Sequence, residues 1–379
     1  MVRPGHDAVS AARPGPLRFV EFLAVGGLTP LLFPISWAMQ AQLGLDAAEL
    51  LVGFTMFHLA HVINDPHFAV TYLLFYKDMR GRLFGDVFSR PQRIRYALAG
   101  VVGPLALLGW LLFALSTGDN ERLGWMVQLM FLLVGWHYVK QGFGVALVLS
   151  ARRGVRYATW ERRVLLAHCY AGWAYAWANP WDPGRALVEK GLVYHSFAHP
   201  TWIEPVALGA TLLTGVGLLG MLVRKRWREE TTGLLTPVTA LVCSVWAWLI
   251  YSGVDPLVRY VVPALHGLQY LYFVQLLKGN QARERQGAPW FEPSVGTRLA
   301  VLAASALALG FVLFDVLPDV MDASFAPASD NPDLGPTPWM AAIATFVNLH
   351  HYFMDSVIWR RDNPETKYLA GSSAAQNVP

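Results

Sequence analysis

The sequence predicts an all-α fold, a polytopic membrane helix bundle of about ten transmembrane helices with both termini cytoplasmic. Three observations carry this reading. Of 379 residues, 54% are hydrophobic and only 15% charged, with a mean hydropathy of +0.35; soluble domains run near a quarter charged. Apolar runs recur along almost the whole chain, the mark of an integral membrane protein rather than one with a single anchor. The basic residues also alternate. The N-terminal segment and 77–95, 152–163, 224–228, 278–298 and 360–367 hold 25 of the 30 Lys and Arg, whereas 40–46 and 318–337 hold none and 117–123 only Arg122. This is the pattern of the positive-inside rule.

The elements follow in order. The first span, 19–39, comes after Arg3, Arg13 and Arg18; its apolar run is too long for a signal-peptide core, so it reads as retained. The second, 47–76, ends at Lys77 and is interrupted at Asp65-Pro66, where proline removes a backbone donor. Spans 96–116 and 124–150 lie either side of the turn carrying Arg122, and 163–179 follows the arginines of 152–163. Spans 203–223 and 233–252 flank the basic turn 224–228. The last three are 255–277, ending at Lys278, then 298–317 and 338–359, ending at Arg360. Residues 1–361 thus form one transmembrane domain, and 362–379 is a polar tail whose composition reads as disordered. No loop exceeds about 30 residues, too short for a soluble catalytic domain. Any chemistry sits on the membrane helices or their ends.

Several function classes drop out. Cys169 and Cys243 stand alone on different helices, which removes CxxC redox chemistry and cysteine-ligated zinc or iron–sulfur sites. The net charge of +4 reflects loop arginines and is no nucleic-acid footprint. Gly215-Val-Gly217-Leu-Leu-Gly220 fits a dinucleotide fingerprint in spacing, but it lies inside an apolar span with no strand before it; close helix packing explains it. Trp125, Trp181, Trp202, Trp339 and Trp359 mark the interfaces, while Trp136, Tyr270, Tyr272 and Tyr352 pack inside or line a lipid pocket.

The histidines carry the functional signal. Counting from the cytoplasmic end of each helix at about 1.5 Å per residue puts His61, His137, His266, His350 and His351 between roughly 14 and 24 Å deep, with His67 at about 15 Å and His58 at about 28 Å. The hydrocarbon core is about 30 Å thick, so the second, fourth, eighth and tenth spans all bring imidazoles to its middle. Ionisable groups there are costly and face a functional interior. One such histidine is ordinarily packed against a backbone carbonyl; this many on four spans at shared depth point to one polar centre, most simply a metal, with His61, His137, His266 and His350 as its leading ligands. His58 and His61 share a helix face, and His350 and His351 point about 100° apart.

Asp65 lies four residues after His61, Asp355 four after His351, and Gln141 four after His137, each placed to hold the second nitrogen of a ligating imidazole. Helix termination for Asp65 and an interfacial arginine partner for Asp355 are the plainer alternatives. Lys140, roughly 18 Å from the cytoplasmic end, is either paired with Asp65 or Asp355 and available for proton handling, or part of a cytosolic helix extension. His195 and His199 stand above the outer surface unless 185–203 re-enters the membrane. His168 reads as structural and His6 belongs to the N-terminal tail.

His58-Leu-Ala-His61, His195-Ser-Phe-Ala-His199 and His350-His351 give the chain a layout that resembles the multi-histidine membrane oxygenases: the fatty-acid desaturase and hydroxylase group and the Brp/Blh carotenoid-cleaving proteins. The desaturase HxxHH box is absent and the histidines are central, which is closer to the Brp/Blh layout. The resemblance implies non-haem iron, one or two ions, together with dioxygen, a lipid or isoprenoid substrate and an electron-donor protein. The leading expectation is a membrane oxidoreductase, an oxygenase, hydroxylase or desaturase. Two alternatives stand beside it: a haem-b electron carrier with two axial histidines, and a transporter with a His/Asp/Lys proton relay. The dominance of Arg over Lys fits a bacterial inner membrane.

Overall fold

The computed structural model describes residues 15–178, 184–228, 233–284, 293–325 and 330–369. Apart from one short hairpin, every regular element in them is helical. The chain enters as α1 (Gly15–Phe22), widens into a π-helical segment, Leu23–Gly27, and bends by 57° into α2 (Thr29–Leu43). Gly26 takes φ 136° at the bend, a backbone conformation open to glycine and to few other residues.

The second predicted span is two helices, α3 (Leu45–Ala60) and α4 (Asn64–Tyr76). Its break lies at 61–63 rather than at Asp65-Pro66: Ile63 leaves helical geometry at φ −122°, ψ −58°. Pro66 instead occupies the first turn of α4, where its missing N–H costs no intrahelical bond.

Short α5 (Met79–Phe84) and α6 (Arg90–Ala97) lead through a second π segment, Leu98–Val102, into α7 (Gly103–Thr117). The longest helix, α8 (Asn120–Arg152), starts where the Asp119 carboxylate accepts from the Arg122 amide at 2.9 Å. After α9 (Thr159–Ala178) comes the antiparallel hairpin of β1 (Ala186–Glu189) and β2 (Leu192–His195). Then follow α10 (Ile203–Arg228), α11 (Leu235–Val242) with its π continuation Cys243–Ile250, α12 (Pro256–Glu284), α13 (Val295–Phe311), a fourth π segment Val312–Val316, α14 (Leu317–Ser324) and α15 (Pro338–Ile358).

Six helical stretches are long and apolar enough to cross a membrane: Leu45–Tyr76, Arg90–Thr117, Asn120–Arg152, Ile203–Arg228, Leu235–Gly253 and Val295–Ser324. The bent pair of α1 and α2 makes a seventh if taken as one span. The predicted spans at 163–179, 255–277 and 338–359 are present as α9, α12 and α15 but fall short on hydropathy. The reason is chemical: α12 carries His266, Gln269 and Gln275, α15 carries Asn348, His350, His351 and Asp355, and α9 opens with Glu161, Arg162 and Arg163.

The middle of the bundle is α8, α12 and α15 with α4 against them. Of these, α15 is buried around nearly its whole circumference, the habit of a helix enclosed by others. The segment 362–369 also docks on the bundle. Pro364–Leu369 is a 3-10 turn whose Leu369 carbonyl accepts from Arg152 at 2.7 Å, while the Glu365 carboxylate pairs with Arg82 at 3.0 Å. His6 and residues 370–379 lie outside the described residues.

Candidate metal centre

Four of the interior histidines meet, one from each central helix. The break at 61–63 separates α4 from α3, and His67, less than one turn into the new helix, is buried. From α12 comes His266. Its neighbour Gly267 faces the break, where a Cβ would stand 3.3 Å from the Ile63 carbonyl oxygen, so a bare backbone brings His266 up to His67. Helix α8 supplies His137 and α15 supplies His351, both buried.

The imidazoles form a closed ring. Centroid separations are 4.9 Å for His67–His266, 4.9 Å for His266–His137, 5.0 Å for His137–His351 and 4.5 Å for His351–His67. One ligand nitrogen each from His67, His137 and His351 lies within 4.8 Å of the other two. Three points that close fit within about 2.8 Å of a common centre, at most about 0.7 Å outside the ~2.0–2.1 Å of a histidine–metal bond. Small side-chain rotations close that gap.

The carboxylate of Asp355 stands beside the ring. Its Oδ2 lies 3.5 Å from His351 Nε2 and 3.7 Å from His137 Nε2, and its Oδ1 accepts from the Tyr270 hydroxyl at 2.9 Å. The Tyr270 hydroxyl is itself 2.6 Å from Thr71 Oγ1. Both ring nitrogens of His67, both of His351, Nδ1 of His266 and Oδ2 of Asp355 are buried without a hydrogen-bond partner. Each such orphan costs about 1–3 kcal/mol, and a cation at the point shared by His67, His137 and His351 would take up one nitrogen from each ring. Neutral imidazoles with one adjacent carboxylate are a fitting donor set for a divalent transition metal.

The surrounding shell fixes the ring. His137 Nε2 and His266 Nε2 are 3.1 Å apart. Gln141 donates to Gln269 Oε1 at 2.9 Å, and Gln269 donates to the Val25 carbonyl at 2.8 Å. That carbonyl belongs to the π segment Leu23–Gly27, whose widened turn leaves backbone acceptors open. The π segment Leu98–Val102 works alike: its Gly100 carbonyl accepts from the Tyr76 hydroxyl at 2.7 Å.

The other candidates are placed elsewhere, each for a visible reason. His350 is held by two tyrosines, Nδ1 3.0 Å from the Tyr72 hydroxyl and Nε2 3.3 Å from that of Tyr76, so it braces α15 while its neighbour His351 faces the ring. His61 ends α3 and sits with Asp65, at 3.3 Å, and with Asp315, at 3.4 Å, in a second cluster. His58 is exposed and meets the Phe54 and Phe57 rings edge to face. His195 lies on the exposed edge of β2, 2.6 Å from Glu121 at the start of α8, and His199 reaches the Ala178 carbonyl at 3.3 Å. Neither joins the centre, because 184–196 closes as a hairpin instead of turning inward.

Lys140 pairs with neither Asp65 nor Asp355 among the described residues; its ammonium lies 5.5 Å over the Phe143 ring. Gln141 braces α12 rather than His137. His168 is a packed residue between Thr214, at 3.1 Å, and the Trp246 indole N–H, at 3.0 Å. Asp315, Thr71 and the Tyr72–Tyr76 pair escaped the sequence reading. Asp315 had a signal, since it is a lone carboxylate in the apolar stretch 305–317.

Of the motif residues that carry the resemblance to membrane oxygenases, His351 alone enters the ring. The chain matches no family model, no curated protein and no solved structure. The centre is accordingly read from its own residues: a buried group of imidazoles able to bind a metal ion, in a protein with several helices apolar enough to cross a membrane.

Proposed function

We propose that this protein is an integral-membrane, metal-dependent oxidoreductase that oxidises a lipid or isoprenoid from within the bilayer. The observation that supports the reading best is the convergence of one ligand nitrogen each from His67, His137 and His351, with His266 and Asp355 beside them, in a buried place where His67 and His351 have no hydrogen-bond partner. The metal we propose is non-haem iron, since a histidine-rich, carboxylate-poor set suits it and the histidine layout resembles that of iron oxygenases. The full topology is ten spans with both termini cytoplasmic, in a bacterial inner membrane, served by an electron-donor protein.

The ion, when bound, supplies the redox and dioxygen chemistry; the chain supplies the rest. His67, His137 and His351 would hold the ion, and His266 stands beside them with its Nε2 3.1 Å from His137 Nε2. Tyr270 and Thr71 hold Asp355 with its free oxygen toward His351 and His137, a position from which it orients a ligand or takes up a proton. The bundle keeps bulk water out. Against haem, ring centroids 4.5–5.0 Å apart leave no room for a macrocycle between any adjacent pair. Against a proton relay, Lys140 stands apart from the buried acids.

Access for an apolar substrate is available beside the ring. A cavity of about 410 Å³ opens between α8, α9 and α15, lined by Leu133, Trp136, Tyr170, Trp173, Tyr352 and Phe353, with Ser356 at its edge. The size and lining suit an acyl or isoprenoid chain. Tyr352 links cavity to centre, its ring 4.9 Å from that of His137. Oxygen uptake in proteoliposomes tests the proposal. With reductant and a panel of lipids and isoprenoids, the wild type consumes oxygen with one class of substrate, and His137→Ala consumes none. Ser356→Trp fills the cavity and raises KM by at least about fivefold, about 1 kcal/mol of binding, with metal content unchanged. Substrate-dependent uptake that His137→Ala retains in full would overturn the assignment.

A further inference from the structure

The second cluster is built as deliberately as the first. His61 closes α3, Asp65 opens α4, and Asp315 comes from the π segment that separates α13 from α14. Three departures from regular helix produce it: the break at 61–63, the π turn at Val312–Val316, and a close contact at Gly310, where a Cβ would stand 2.9 Å from the Asp65 carbonyl carbon. One ligand atom each from His61, Asp65 and Asp315 lies within 4.8 Å of the other two. His61 Nδ1 sits 3.3 Å from Asp65 Oδ2 and 3.4 Å from Asp315 Oδ2, yet makes a hydrogen bond to neither, and Asp315 Oδ2 is likewise buried without one.

The charges do not balance internally. Two carboxylates face one imidazole, so a net negative charge remains even if His61 is protonated. No lysine or arginine forms an ion pair with either acid among the described residues; Lys190 of the hairpin turn acts on Asp65 only from a distance. Asp65 is 5% exposed, and a carboxylate buried to that degree is held by a positive partner or by a proton. Two carboxylate oxygens and one imidazole nitrogen are a donor set for a hard or borderline divalent cation, in contrast to the imidazole-rich ring near by.

We infer that His61, Asp65 and Asp315 form a second binding site, for a divalent cation of the manganese or zinc type, separate from the histidine ring. The site does not depend on the ring's being an oxidation centre.

The test uses the full-length chain in detergent, stripped with chelator and titrated with Mn(II) and Zn(II), bound metal being counted by elemental analysis. The wild type takes up one equivalent more than Asp315→Asn. Adding His61→Ala to that variant changes nothing further, because the site is already lost. His351→Ala keeps the Asp315-dependent equivalent while losing the ring's own, so failure of one site is read apart from failure of the other. Asp315→Asn keeps the side chain's shape at a partly exposed position, and size-exclusion elution with near-ultraviolet circular dichroism checks that it folds. Equal metal uptake by wild type and Asp315→Asn, with Asp315→Asn lowering only thermal stability, would identify the cluster as a bare ion triad and overturn the inference.

Discussion

Replacing His351 with alanine removes the metal from the ring and abolishes activity, whereas replacing its neighbour His350 does neither. The two residues are adjacent on α15, but His350 spends both nitrogens on Tyr72 and Tyr76 while both nitrogens of His351 are buried and unpartnered beside Asp355. Losing a direct ligand costs more than the roughly 10–100-fold in metal affinity typical of an outer-shell partner. Metal at the ring in His351→Ala falls below about a tenth of wild type at equal metal supply, and turnover falls at least about a hundredfold with it. His350→Ala keeps its metal and loses stability only, since it deletes two buried hydrogen bonds worth about 1 kcal/mol each. Elemental analysis and melting curves on the two variants separate them. Loss of metal from His350→Ala and its retention in His351→Ala would reverse the assignment.

Substituting Gly310 with valine costs a large share of stability. At this position α13 lies directly on the first turn of α4, and an added Cβ would stand 2.9 Å from the carbonyl carbon of Asp65, 3.0 Å from its Cβ and 3.1 Å from its oxygen. These neighbours are backbone atoms or fixed to it, so they cannot swing aside as a long side chain can. The helices must separate, at about 1–3 kcal/mol for overpacking and more where the polar cluster is pulled apart. Gly310→Val therefore lowers Tm in detergent and loses the cation held by His61, Asp65 and Asp315, while Gly310→Ala shows the same effects in smaller degree. An unchanged Tm would mean that α13 does not pack on α4.

Much of the centre was legible in the sequence, because depth in a membrane follows from counting residues along a helix. His137 and His266 were reachable in that way, and Asp355 was placed beside His351 by the four-residue helical repeat. The errors share one physical cause, the irregular helix. Proline marked a break in the second span, but the break lies at 61–63, upstream of Pro66, and it leaves His61 with α3 and His67 with α4. The π segments were not legible at all. No residue pattern announces a widened turn, yet one bears Asp315 and two others supply the carbonyls that anchor Gln269 and Tyr76. Adjacent histidines on one helix, such as His350 and His351, point about 100° apart, and only their neighbours on α4 and α8 decide which one faces the ring. Hydropathy singles out fewer helices than the ten expected for a related reason: α12 and α15 carry the residues of the polar centre, which lower their apolar content.

The central claim is that His67, His137 and His351 grip one metal ion inside the bundle. Elemental analysis of the purified full-length protein, read with its optical spectrum and alongside a variant in which all three are alanine, tests it most directly. Iron in the wild type, no Soret band, and loss of that iron in the triple variant while the protein stays folded are the expected results. A wild type that is fully active without metal, or a triple variant that holds as much iron as the wild type, would contradict it.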